Sequence, residues 1–159
     1  MKISMIACVG KNLELGKDND LIWRFSTDLK RFKAITTGHI VVMGKNTYKS
    51  LSKPLRDRKN VVLTTSDDKF PGDVEVYSNI EDFLEKYKDH KEEIFIIGGA
   101  SIYKQFLEYA DTLYLTEVDS ESEADVYFPS FNKKEYKKEI VGGNDNYRFA
   151  IYRREFKND

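Results

Sequence analysis

Two short segments, Ile40-Val41-Val42-Met43 and Ile94-Phe95-Ile96-Ile97, are apolar at every position. A strand with one wet face alternates apolar and polar side chains, whereas a strand covered on both faces has no polar side to present. Two such runs in one chain call for a sheet sandwiched between helices. Further apolar runs of strand length lie at residues 3–9, 61–65, 74–77 and 113–118, with helical periodicity in the intervals. The pattern predicts an α/β fold, a single domain over residues 1–159, built on a predominantly parallel, twisted sheet with helices on both faces.

Ser26 is the expected N-cap of the first helix, in which Leu29, Phe32 and Ile35 share a face and which Gly38 closes. Ser78-Asn79-Ile80-Glu81 reads as a capping box ahead of residues 82–87, with Ile80, Phe83, Leu84 and Tyr87 as the apolar stripe. A third helix is expected over residues 100–109, burying Ile102, Phe106 and Leu107. After Phe128-Pro129 the pattern changes. Residues 136–141, a long turn at 142–146 and alternation over 147–156 predict a β-hairpin, so the sheet is mixed, with an antiparallel C-terminal edge.

With 159 residues, 40% of them hydrophobic and 13% aromatic, the chain can bury a substantial core. Its 26 Lys and Arg against 27 Asp and Glu give a net charge of -1, and its longest cationic tract, residues 133–138, is interrupted by Glu135 and Tyr136. Nothing in that balance recruits nucleic acid, so any anion site must be local. The single cysteine, Cys8, excludes an intramolecular disulfide and a zinc cluster; His39 and His90 stand far apart, and no metal is expected. The chain has neither a signal-peptide h-region nor an apolar stretch of roughly 18 residues. A soluble cytoplasmic monomer without a membrane partner is the expectation.

Several segments have the form of ligand-binding turns. Ile97-Gly98-Gly99-Ala100-Ser101-Ile102-Tyr103 passes from a buried strand through two glycines into a helix, where free N–H groups and close backbone approach suit a phosphate; a Gly-Gly pair serves a plain tight turn equally well. Met43-Gly44-Lys45-Asn46-Thr47 repeats the form, with a cation and a hydroxyl, although Lys45 as a solvated lysine and Thr47 as a cap is the blander account. Leu63-Thr64-Thr65 gathers hydroxyls at the carboxyl end of a third strand, where open α/β sheets bind ligands. Asp28 is either an ordinary acid at a helix start or a cleft carboxylate walled by Trp23, Leu29 and Phe32 that seeks an amidine-like pair of donors. Residues 10–22 are long and polar for a connector and carry Gly10 and Gly16 where the hinges of a lid would be; a surface loop anchored by Trp23 is the blander account.

In chain order and over essentially its whole length, the sequence resembles the dihydrofolate reductase family. The matching segments are Ile6-Ala7-Cys8-Val9 with Gly16; Trp23, Asp28-Leu29 and Phe32-Lys33; Val42-Met43-Gly44-Lys45-Asn46-Thr47-Tyr48 with Ser50; Lys53-Pro54-Leu55 and Arg58-Lys59-Asn60; Ile97-Gly98-Gly99-Ala100 through Tyr103; Leu113-Tyr114-Leu115-Thr116; and Asp125 through Phe128-Pro129.

The resemblance implies NADPH-dependent reduction of 7,8-dihydrofolate to tetrahydrofolate, with hydride passing from nicotinamide C4 to pterin C6 and a proton reaching N5. It implies a catalytic set of Asp28, Trp23, Leu21 and Thr116, with Asp28 accepting hydrogen bonds from the pterin and Thr116 supporting it partly through water. Ile6, Cys8, Leu29, Phe32, Ser50, Leu51, Leu55, Ile97 and Tyr103 are implied to line the substrate pocket, and Arg58 to pair with the glutamate tail. Implied cofactor contacts are Ala7, Gly16, Gly44, Lys45, Asn46, Thr47, Leu63, Thr64, Thr65, Ile97, Gly98, Gly99, Ala100, Ser101, Ile102 and Tyr103. The chain departs from the family pattern at Ile22, where proline is usual, at Lys45, where arginine is common, at Ser101, which brings no charge, and at Arg56-Asp57, which replaces Pro-Gly. A pyrimidine reductase of the same fold and a non-catalytic nucleotide-binding module are the competing readings.

Overall fold

A computed structural model describes residues 1–18 and 20–155. In chain order the elements are β1 (Lys2–Val9), β2 (Glu14–Lys17), β3 (Asp20–Leu21), α1 (Ser26–Thr36), β4 (Ile40–Gly44), α2 (Lys45–Ser50), β5 (Lys59–Leu63), β6 (Glu75–Tyr77), α3 (Ile80–Tyr87), β7 (Glu93–Gly98), α4 (Ala100–Phe106), β8 (Ala110–Val118), β9 (Val126–Tyr127), β10 (Tyr136–Gly143) and β11 (Tyr147–Arg154). The main sheet has the order β10-β11-β8-β1-β7-β4-β5-β6. Its strands from β8 to β6 are parallel, and β11 and β10 add the antiparallel edge.

The fully apolar runs become β4 and β7 at the centre of the sheet, and their side chains divide by parity between two apolar layers. Ile40, Val42, Ile94 and Ile96 join the layer that holds Phe83 of α3 and Ile102 and Phe106 of α4. Val41, Met43 and Phe95 face the opposite layer, against Phe32 and Ile35 of α1 and Tyr48 of α2. Helices on both faces thus remove every side of these strands from water, which is why no polar residue interrupts them.

The structure corrects the sequence reading in four places. The N-cap of α1 is Phe25, in extended conformation and without a side-chain cap bond; Ser26 is the first helical residue, and Asp28 still falls in the first turn. Asn79, not Ser78, caps α3: its side-chain oxygen accepts from the Asp82 N–H at 2.8 Å, while its amide donates to the Asp82 carboxylate at 3.1 Å, a reciprocal pair one residue later than the expected box. The hairpin turn is short, because β10 runs through Gly143 with an irregularity between Ile140 and Gly142, and the Asn144 side chain accepts from the N–H groups of Asn146 and Tyr147. The expected extension of the last strand to Phe156 lies outside the described residues. Finally, the lid segment contains strands: β2 pairs with β3 and, antiparallel, with β9, forming a separate three-stranded sheet. Among the described residues no helix is long and apolar enough to cross a membrane.

Candidate active site

At the carboxyl end of the parallel strands, Cys8 of β1 stands directly beside Thr116 of β8. The Thr116 hydroxyl donates to Asp28 Oδ1, from the first turn of α1, so one side-chain hydrogen bond ties the helix start to the strand ends. The contact is direct. Burial pushes the Asp28 pKa above the usual aspartate value; the Thr116 bond and the Arg31 charge oppose that shift without cancelling it. The Cys8 thiol is pushed up strongly by burial and by the neighbouring Asp28, which keeps it protonated and disqualifies it as a nucleophile. Tyr103, buried on α4, donates its hydroxyl to the Ile6 carbonyl at 2.7 Å, bringing a fourth element to the same place. Asp28, Thr116, Ile6, Cys8 and Tyr103 are therefore gathered as the sequence implied. Arg31 was not anticipated, although its i,i+3 spacing from Asp28 was a usable signal; its guanidinium lies 4.5 Å from the Phe149 ring centroid.

Phe32, Leu51, Leu55 and Ile97 pack on the α1 side of the sheet. Leu29, by contrast, is 59% exposed at the helix start. Arg58 is steered by its neighbours: Nε donates to the Arg56 carbonyl at 2.8 Å, Nη1 to Thr36 Oγ1 at 3.2 Å, and the guanidinium sits 5.9 Å from the Phe32 ring centroid. It lies half-buried beside the apolar wall. Ser50 is engaged within its own helix, donating to the Thr47 carbonyl at 2.6 Å.

The two glycine turns are neighbours because β4 and β7 are adjacent, with Met43 paired to Gly98. Gly98 has φ +126°, a conformation that favours glycine, and is joined to Gly99 by a cis peptide bond. A Cβ on Gly98 would lie 3.5 Å from Thr47 Oγ1 and 3.4 Å from the Tyr103 hydroxyl; one on Gly99 would lie 3.8 Å from Thr47 Oγ1. Bare backbone on one turn thus faces a hydroxyl on the other, a cradle that side chains would fill and that suits a diphosphate. Ala100 is half-buried beside it, Ile102 is buried, and exposed Ser101 accepts a hydrogen bond from Gln105 at 3.2 Å.

Lys45 is not free. Its ammonium and that of Lys49 each lie 3.3 Å from Asp68 Oδ2. Leu63 ends β5 buried, Thr64 accepts from the Ser66 N–H at 3.1 Å, and Thr65 and Asn46 are exposed. Lys49 and Asp68 escaped the sequence reading, since an acid in a polar loop carries no local signal of the lysines it will meet.

The lid is clamped to the segment after β8. Lys11 N–H donates to the Ser120 carbonyl at 3.0 Å, Asp125 N–H to the Gly16 carbonyl at 3.0 Å, Asp18 N–H to Asp125 Oδ2 at 3.0 Å, and Phe128 N–H to the Leu13 carbonyl at 2.8 Å. Gly10 is required by packing: a Cβ there would stand 2.6 Å from Glu14 Oε1 and 2.8 Å from the Trp23 ring. Gly16 is likewise held within β2, between β3 and β9. Trp23 Nε1 donates to the Glu14 carbonyl at 3.2 Å, and Leu21 is 58% exposed. No group of three or more metal-ligating side chains occurs among the described residues.

Residues 2–154 match the family model described as dihydrofolate reductase. The chain is 43% identical over 136 residues to the dihydrofolate reductase of Bacillus subtilis (strain 168), covering 85% of this chain and 80% of the relative. It is 37% identical over 161 residues to that of Staphylococcus haemolyticus, covering 97% and 96%. A bifunctional dihydrofolate reductase-thymidylate synthase of Paramecium tetraurelia is 37% identical over 158 residues, 93% of this chain and 34% of that protein.

Proposed function

The chain belongs to the dihydrofolate reductase family, and on that premise we propose that it reduces 7,8-dihydrofolate to 5,6,7,8-tetrahydrofolate with NADPH as reductant. The observation that carries this reading is Asp28, a partly buried carboxylate fixed by Thr116 at the carboxyl ends of β1 and β8. NADPH, when bound, supplies the hydride delivered to pterin C6.

The protein's own part is binding, orientation and electrostatics. Asp28 accepts from the pterin 2-amino group and N3, a planar donor pair matched to a carboxylate. Its negative charge raises the basicity of N5, where the proton ends. Ile6 and Cys8 offer backbone carbonyls at the carboxyl end of β1. Phe32, Leu29, Leu51 and Leu55 wall the ring and aminobenzoyl group, and Arg58 meets the glutamate α-carboxylate. The Gly98-Gly99 turn and Thr47 hold the diphosphate. Lys45 and the hydroxyls of Thr64 and Thr65 serve the 2′-phosphate, and the lid, with Leu21 and Trp23, excludes water.

The protein acts as a cytoplasmic monomer, a single domain over residues 1–159, without nucleic-acid or membrane partners. A net charge of -1 supports the absence of a nucleic-acid partner. The fusion of a relative to thymidylate synthase supports a role in one-carbon metabolism and thymidylate synthesis. Steady-state oxidation of NADPH by dihydrofolate tests the reading: the wild type turns over, and Asp28→Asn loses about two orders of magnitude in kcat/KM while keeping NADPH affinity. Wild-type protein that binds NADPH yet leaves dihydrofolate unreduced overturns it.

A further inference from the structure

Glu14 is 1% exposed, an unusual place for a carboxylate, and the chemistry proposed above makes no use of it. It projects from β2 into the space between Gly10, Trp23 and the loop after β8. Its Oε1 accepts from the Asn12 N–H at 2.6 Å, within the lid; its Oε2 accepts from the Ser122 N–H at 2.8 Å, on the opposite loop. Its backbone carbonyl accepts from the Trp23 indole at 3.2 Å and from the Gly10 N–H at 3.1 Å. A buried charge is costly unless paired, and here its partners are backbone dipoles from two segments more than a hundred residues apart in sequence. An apolar side chain would fill the space without joining those segments.

Residues 10–22 lead from the end of β1, which carries Ile6 and Cys8, to the start of α1, which carries Asp28. The segment is thus the covalent link between the two rims of the cleft. We propose that Glu14 is the positioning residue of the lid: its carboxylate latches the lid to residues 119–125, holding Trp23 and the approach to Asp28 in the closed arrangement, and the loss of its charge releases them. The purpose of the latch rests on the dihydrofolate reductase reading; its existence does not.

Burial alone would raise the Glu14 pKa, but its hydrogen bonds to the N–H groups of Glu14 itself, Ser122 and Asn12 outweigh burial and lower it from the ordinary value of 4.5. A depressed folded-state value means that the latch is fully formed above the ordinary glutamate value and is lost as pH falls through the lower, folded one. The charged groups around it are Lys11 with Asp119 at 3.1 Å, Lys17 with Glu123 at 2.5 Å, Arg24 with Asp20, and Asp18, Glu121 and Asp125, all exposed.

Trp23 is the only tryptophan in the chain, so its emission reports the latch without labelling. The experiment follows Trp23 emission of the ligand-free protein against pH, with far-UV circular dichroism defining the range in which the fold persists. The wild type should show an emission transition inside that range. Glu14→Gln should lack it and at neutral pH should emit like the acid form of the wild type. Ser122→Pro, which deletes the opposite donor and leaves Glu14 in place, should move the midpoint up by about one pH unit, and this variant decides the matter if Glu14→Gln fails to fold. A wild type with no transition before unfolding, a Glu14→Gln titration that superimposes on the wild type, or an unmoved midpoint in Ser122→Pro overturns the proposal. Because the readout needs neither cofactor nor substrate, it stands whether or not dihydrofolate is the substrate.

Discussion

Asp28 pays for its place in the cleft with burial that its partners do not fully offset, since its pKa is raised despite the Thr116 bond and the Arg31 charge. An acid whose folded-state pKa lies above its unfolded value destabilises the fold wherever it is ionised in both states; the penalty is complete above the folded pKa and vanishes below the ordinary aspartate value of 3.8. Asp28→Asn keeps an acceptor for Thr116 and removes the charge. It should therefore raise Tm at neutral pH, with a gain that disappears in acid, while abolishing most turnover. Thermal melts at two pH values check this, and a variant less stable than wild type at neutral pH would contradict it. Asp68 poses the converse question. Hydrogen bonds from Lys49 and Lys45 hold its carboxyl below the usual range, so it engages Lys45, the lysine proposed above for the 2′-phosphate, together with Lys49. Asp68→Asn should tighten NADPH several-fold relative to NADH, with the preference falling as salt rises. Equal gains for both cofactors by calorimetry would remove Asp68 from that role.

At the scale of elements, what could be read from the sequence is what burial writes into composition. β4 and β7 were legible because a strand covered on both faces has no polar position, and the stripe of α3 because Ile80 and Phe83 face the core. Boundaries were less so: Ser78 and Asn79 are both good cap residues, and only the backbone geometry selects the second. The strands of the small sheet were not legible at all. β3 has two residues, β2 has four, and their partner β9 lies more than a hundred residues further on, so no local periodicity announces them. The site follows the same rule. Asp28 and the glycine turns sit at strand ends and helix starts, where sequence patterns point, and Thr116 was reached only through the family resemblance. Asp68 and Glu14 take their meaning from partners that the fold brings to them.

In the whole molecule, the sheet separates two apolar layers: one adjoins the cleft wall formed by Phe32, Leu51 and Leu55, and the other reaches the site through Ile102 and Tyr103 of α4. This second layer is centred on Phe83, fully buried, whose ring lies 5.0 Å from Tyr87, 5.7 Å from Tyr77 and 5.8 Å from Phe106, centroid to centroid. These edge-to-face and tilted contacts join α3, β6 and α4 on the side of the sheet away from α1. Removing the ring in Phe83→Ala leaves a cavity that costs about 3–5 kcal/mol. For a chain of this length each kcal/mol lowers Tm by roughly 2–4 °C, so the melt should fall by about 10 °C. Catalysis at ambient temperature should survive, with kcat within about twofold of wild type, because the Asp28–Thr116 contact and the Arg58 wall lie across the sheet. Parallel measurement of the melt and of kcat decides it: a large loss of turnover at a temperature where Phe83→Ala is fully folded would show that the two layers are coupled through the sheet rather than insulated by it.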